Sequence, residues 1–113
     1  MDRTIKKYLQ DIMQAIGEVE LYLTQRPKEY QVFLNDSMFR NAIERQIGII
    51  GEAMTKILQI MPDIPITDAR KIKEKRTRNY LIHAYDSLQP FTIWGIVINH
   101  LPKLKDEVKQ LLK

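Results

Sequence analysis

The sequence contains no cysteine, which excludes a disulfide framework, a thiolate nucleophile and a thiolate metal site. Glycine and proline are scarce, with four and five residues in 113, so a linker-rich or low-complexity chain is excluded as well. The uninterrupted apolar stretches fall far below the ~18 residues that a membrane span needs, and the N-terminus lacks the apolar region of a signal peptide. We therefore expect a cytoplasmic globular protein with one domain that covers residues 1–113.

Positive charge is concentrated in one short segment. Residues 1–56 contain eight basic and eight acidic residues, so the formal net charge of +4 comes entirely from residues 57–113. Within residues 70–78 six side chains are basic and one is acidic, and the basic ones are Arg70, Lys71, Lys73, Lys75, Arg76 and Arg78. With a pI of about 9.4, this pattern indicates either a polyanionic partner or a solvent-exposed basic helix face, and charge alone does not decide between them.

Apolar residues recur at alternating steps of four and three, which is the spacing of amphipathic helices. The first stripe, from Ile5 to Leu23, predicts a helix that Asp2 or Thr4 caps and that ends at Arg26–Pro27, because proline disfavours helix in the residue before it. A short helical turn or loop is expected next, with its aromatic side chains on the core.

The second stripe, Phe39–Met61, follows an N-cap cluster at residues 35–37. It covers so much of its helix that the helix must be buried on more than one side, either at the centre of the fold or at an oligomer interface. Gly48 and Gly51 lie three residues apart within it and lower its helix propensity, so we expect another helix to approach closely there.

Two further helical segments complete the pattern. Thr67 and Asp68 are expected to cap a third long helix that ends near Asp86, and Pro90 suits the first position of the last segment. Pro102 predicts a kink or a restart near residues 99–100. Because strand-type alternation is absent, we expect an all-α fold, an antiparallel four-helix bundle with a short extra helix or turn.

The chain has two histidines, and only one has chemically suggestive neighbours. His100 has no carboxylate or second histidine at ligand spacing, which indicates a structural or surface residue. His83 follows Arg78 and Asn79, and an imidazole can transfer protons while a guanidinium matches phosphate oxygens. In one regular helix, however, Arg78 lies about 140° around the axis from His83. Spacing alone therefore also fits a half-buried structural histidine.

The segment from Arg78 to Tyr85 resembles the R-x4-H-x-Y motif of the HEPN superfamily, and specifically of the HepT-like toxins of prokaryotic toxin–antitoxin pairs. Residues 45–53, with the sequence RQIGIIGEA, resemble the IGEA helix of that family. Residues 94–104 resemble its Trp-containing last helix, which ends in Leu-Pro-x-Leu. The resemblance covers nearly the full length, and the three segments occur in the order of the family.

The resemblance implies a homodimer in which two copies of the motif meet at one cleft, which would bring arginine and histidine together from two chains. It also implies a metal-independent ribonuclease, so neither a metal nor another cofactor is expected. Arg78 would stabilise the phosphorane, His83 would act as general acid or base, and Asn79 would orient the phosphate or the imidazole. The expected products are a 2′,3′-cyclic phosphate and a 5′-OH, with tRNA as the associated substrate class.

The resemblance further implies that Tyr85 accepts AMP from a partner minimal nucleotidyltransferase, the antitoxin; helix-end packing is the alternative for Tyr85. RNA would contact the basic residues Arg70, Lys71, Lys73, Lys75 and Arg76. The main rival hypothesis is a non-catalytic HEPN-type binding subunit for a nucleotidyltransferase. A purely structural dimerisation bundle is the third.

Overall fold

The computed structural model describes residues 2–67 and 89–113. Within these ranges the chain forms five helices and no strand, so the predicted all-α fold is confirmed. The helices are α1 (Arg3–Thr24), α2 (Tyr30–Asn35), α3 (Ser37–Ile60), α4 (Pro90–Asn99) and α5 (Leu101–Leu112). Apart from Thr67, the third long helix expected from the sequence lies outside the described residues.

The first helix begins and ends where local rules predict. Of the two candidate caps, Asp2 is the one used, because its Oδ1 accepts hydrogen bonds from the backbone N–H groups of Thr4 (2.7 Å) and Ile5 (3.2 Å). These bonds satisfy donors that the first helical turn leaves without partners. The helix ends at Thr24, just before Arg26–Pro27.

The segment after α1 forms the short helix α2 rather than a loop. Phe33 is completely buried and Tyr30 is partly buried, as expected. Asp36 then caps α3, since its Oδ1 accepts a hydrogen bond from the backbone N–H of Phe39 at 3.1 Å. The second long helix predicted from the sequence is thereby confirmed.

The last segment restarts at the predicted position. Pro90 is at the N-terminus of α4, where its missing N–H leaves no helical hydrogen bond unmade. Helix α4 ends at Asn99, and α5 begins at Leu101 with Pro102 in its first turn. The junction residue His100 joins both helices through its backbone: its N–H donates to Ile96 (2.9 Å), and its carbonyl accepts from Leu104 (3.0 Å).

Helix α3 is central, packing against α1, α2 and α4. It runs antiparallel to α1, because Glu18 of α1 lies beside Arg45 whereas Tyr8 lies beside Lys56. Helix α5 packs on α1 and on α4, and a salt bridge of 2.9 Å joins Lys105 to Glu20. The wide apolar face of α3 is therefore largely core, which confirms the central alternative. The close approach expected at its two glycines stays a prediction.

No helix in residues 2–67 and 89–113 combines the length and the apolar character that crossing a membrane requires.

Candidate functional site

All residues to which the sequence assigned chemistry belong to the segment 68–88, which lies outside the described residues. They are the catalytic candidates Arg78, Asn79 and His83, the acceptor candidate Tyr85, and the RNA-binding candidates Arg70, Lys71, Lys73, Lys75 and Arg76. The structure describes the frame of this site: the residues from which the segment departs and those to which it returns.

The chain enters the segment after Thr67, which is hydrogen-bonded to Glu107 of α5. The backbone N–H of Thr67 donates to Oε2 of Glu107 at 2.9 Å, and its hydroxyl lies 3.3 Å from the same oxygen. Ile64 and Ile66, just before it, are both buried in the core. The connection between α3 and the segment is therefore held by apolar burial and by a charge-assisted hydrogen bond.

The chain leaves the segment at the N-terminus of α4, beside α2. The carbonyl of Gln89 accepts the first-turn hydrogen bonds from Thr92 (3.0 Å) and Ile93 (3.1 Å). The ring of Phe91 meets that of Tyr30 nearly at right angles, with centroids 5.7 Å apart. This end of the segment is thus attached to a regular helix that aromatic contacts hold in place.

An aromatic cluster behind this exit joins three helices. Phe33 of α2 contacts Trp94 of α4 with ring centroids 5.1 Å apart and Phe39 of α3 with centroids 5.9 Å apart. The ring centroid of Tyr30 lies 6.4 Å from that of Phe33. Because Phe33 has no exposed surface, the cluster is part of the core and fixes α2 against both neighbours.

The pKa values of two carboxyl groups are shifted in opposite directions, one in Asp36, the cap of α3, and one in Glu44, within α3. A hydrogen bond of 2.8 Å from Arg26, together with the N–H of Phe39, lowers the pKa of Asp36. Burial raises the pKa of Glu44, and the nearby charge of Arg40 only partly opposes this. Within the part of the chain that the structure describes, no group hydrogen-bonds to the buried Oε1 of Glu44. The charged form of Glu44 is therefore less stable than that of an exposed glutamate.

Two neighbouring grooves between α1 and α3 share Asp11 and Ile49. Glu18 and Arg45 are among the residues that line the larger groove, of about 340 Å³, and Glu52 and Lys56 are among those that line the smaller. Among the described residues that line these grooves, acidic side chains accompany the basic ones and none is a histidine.

A third groove, of about 300 Å³, lies between α1 and the α4–α5 junction. Lys28 and Lys105 are among the described residues that line it, and the ammonium of Lys105 is paired with Glu20. Among residues 2–67 and 89–113, no three His, Cys, Asp or Glu side chains are grouped to hold a metal ion. The chemistry assigned from the sequence therefore depends on the segment that this frame carries.

The family model that matches the sequence is described as "Ribonuclease HepT-like", and it covers residues 5–111. The chain belongs to the HepT-like ribonuclease family. The resemblance inferred from the three sequence segments is thereby confirmed, and the helical fold agrees with it.

Similar proteins of this kind cover the chain almost end to end. "Probable ribonuclease HepT" of Thermococcus cleftensis is 32% identical over 100% of both chains. "Putative RNase MJ1380" of Methanocaldococcus jannaschii is 32% identical over 95% of each chain, and "Putative RNase MJ1216" of the same organism is 28% identical over 98% of this chain and 89% of its own. No solved structure matches the chain.

Two features of this HepT-like frame were missed by sequence reasoning. The contact between Thr67 and Glu107 spans 40 residues, and no local pattern indicates it. The pairing of Tyr30 with the exposed ring of Phe91 also depends on how α2 meets α4. Only the unusual density of aromatic residues near these two positions could have indicated the cluster.

Proposed function

We propose that this HepT-like chain is the toxin of a toxin–antitoxin pair and acts as a metal-independent endoribonuclease on RNA, with tRNA as its substrate class. The observation that carries the proposal is the R-x4-H-x-Y pattern from Arg78 to Tyr85 in a chain that the HepT-like family model matches over residues 5–111. The names of the similar proteins, which refer to ribonucleases, support the nuclease class.

The chemistry follows from the residue types in the motif. As general base, His83 would remove the proton from a ribose 2′-OH, whose oxygen attacks the adjacent phosphorus. The bond to the 5′ oxygen then breaks, and that oxygen takes up a proton, which leaves a 2′,3′-cyclic phosphate and a 5′-OH. Arg78 would stabilise the added negative charge on the phosphorane, and Asn79 would orient the reacting groups.

A homodimer reconciles this mechanism with helical geometry. The spacing between Arg78 and His83 does not bring them to one point on a single regular helix. Two copies of the motif at a shared cleft would let groups from both chains act on one phosphate. The requirement for a 2′-OH as the nucleophile would confine the activity to RNA.

The described residues on either side of the motif segment are both held by the frame. Catalysis requires that reacting groups be held in position before the reaction. Thr67 is hydrogen-bonded to Glu107 of α5, and Gln89 is the N-cap of α4, which Tyr30 and Phe33 contact through Phe91 and Trp94. The frame thus holds the chain at Thr67, eleven residues before Arg78, and at Gln89, four residues after Tyr85.

Tyr85 supplies the proposed means of inhibition. A partner nucleotidyltransferase would transfer AMP to its phenolic oxygen and release pyrophosphate from ATP. The added phosphate carries negative charge near a segment with a local charge of +5, derived from six basic residues and one acidic residue in positions 70–78. Bulk and like-charge repulsion would then both oppose RNA binding.

The proposal is tested by incubating purified protein with total tRNA in EDTA and determining the ends of the products. We expect cleavage with 2′,3′-cyclic phosphate ends in the wild type and none in His83→Ala. His100→Ala is the matched control, because it removes the other histidine of the chain, and it should retain cleavage. Circular dichroism checks that both variants are folded.

Two outcomes would contradict the proposal. One is equal cleavage by folded His83→Ala and by the wild type, which would remove the histidine from the mechanism. The other is no cleavage by a wild type whose intact mass shows that it carries no AMP. That result would favour a non-catalytic binding subunit for a nucleotidyltransferase.

A further inference from the structure

We draw no further inference here: the strongest candidate, the groove of about 300 Å³ between α1 and the α4–α5 junction, is lined by apolar side chains together with both acidic and basic ones, and nothing in the described residues shows what occupies it.

Discussion

Phe33 holds together the part of the frame to which the motif segment returns, and its truncation should be strongly destabilising. Its side chain is fully buried and contacts rings from α2, α3 and α4, at 6.4 Å (Tyr30), 5.9 Å (Phe39) and 5.1 Å (Trp94). Replacing a buried phenylalanine by alanine removes its transfer free energy and leaves a cavity, a loss of about 3–5 kcal/mol. Since domains of this size unfold with about 5–15 kcal/mol, that is a large fraction of the total.

The expected result for Phe33→Ala is a fall in Tm of about 12–20 °C, at about 4 °C per kcal/mol. Phe33→Leu keeps most of the volume but loses the ring contacts, so it should lower the free energy of unfolding by about 1–3 kcal/mol. Thermal and urea unfolding followed by circular dichroism measure both. Phe91→Ala is the control, because it removes the same side chain from an exposed position in the same cluster and should cost less than about 1 kcal/mol.

The reasoning would be refuted by a Tm for Phe33→Ala that is no lower than the Tm of Phe91→Ala. In that case the ring contacts would not be what fixes α2 against α3 and α4. If Phe33→Leu were as destabilising as Phe33→Ala, the retained side-chain volume would contribute nothing to stability. The contribution of the ring contacts would not be contradicted by that result.

Three smaller predictions concern polar groups. Glu107→Ala should lower the free energy of urea unfolding by about 1 kcal/mol because it removes the acceptor for Thr67, and no change would mean that the anchor adds no stability. Burial raises the pKa of Glu44, so the stability that this carboxyl contributes is present at acid pH and lost as pH rises through its raised pKa. Glu44→Gln should therefore raise Tm at neutral pH but not at acid pH. An equal rise in Tm at both pH values would contradict the burial of a charged Glu44. The pKa of Asp36 is lowered, so its stabilising effect is present at neutral pH and lost as pH falls through the lowered value. Asp36→Ala should therefore lower Tm at neutral pH, and a difference from wild type that does not shrink in acid would contradict a stabilising role for the charge of Asp36 beside Arg26.

Helix boundaries were predictable because capping and proline effects act within a few residues. Asp2 caps the nearest N–H groups, Pro90 begins a helix, and Pro102 coincides with a restart. The stripes of apolar residues likewise predicted which faces are buried. What remained open was whether α2 is a helix or a loop and whether the wide face of α3 is core or interface, since both depend on which helices meet.

The candidate site also has some features that the sequence alone determines and others that depend on helix packing. Its residue types and their spacing, from Arg78 to Tyr85, are properties of the sequence, and so is the likeness to HepT-like ribonucleases that the family model confirms. The contacts of Thr67 and Gln89, which flank the segment of the site, are a property of the packed helices.

The sequence by itself determined the all-α class, the starts of α1, α3 and α4, the restart at α5 and the family, because each depends on local spacing or on residue identity. Tertiary structure decided that Glu107 binds Thr67, that Phe33 joins three helices, and that Phe91 stays exposed. The physical reason is that burial and hydrogen bonding between distant residues depend on the positions of whole helices. Those positions are set by the packing of all their apolar faces at once.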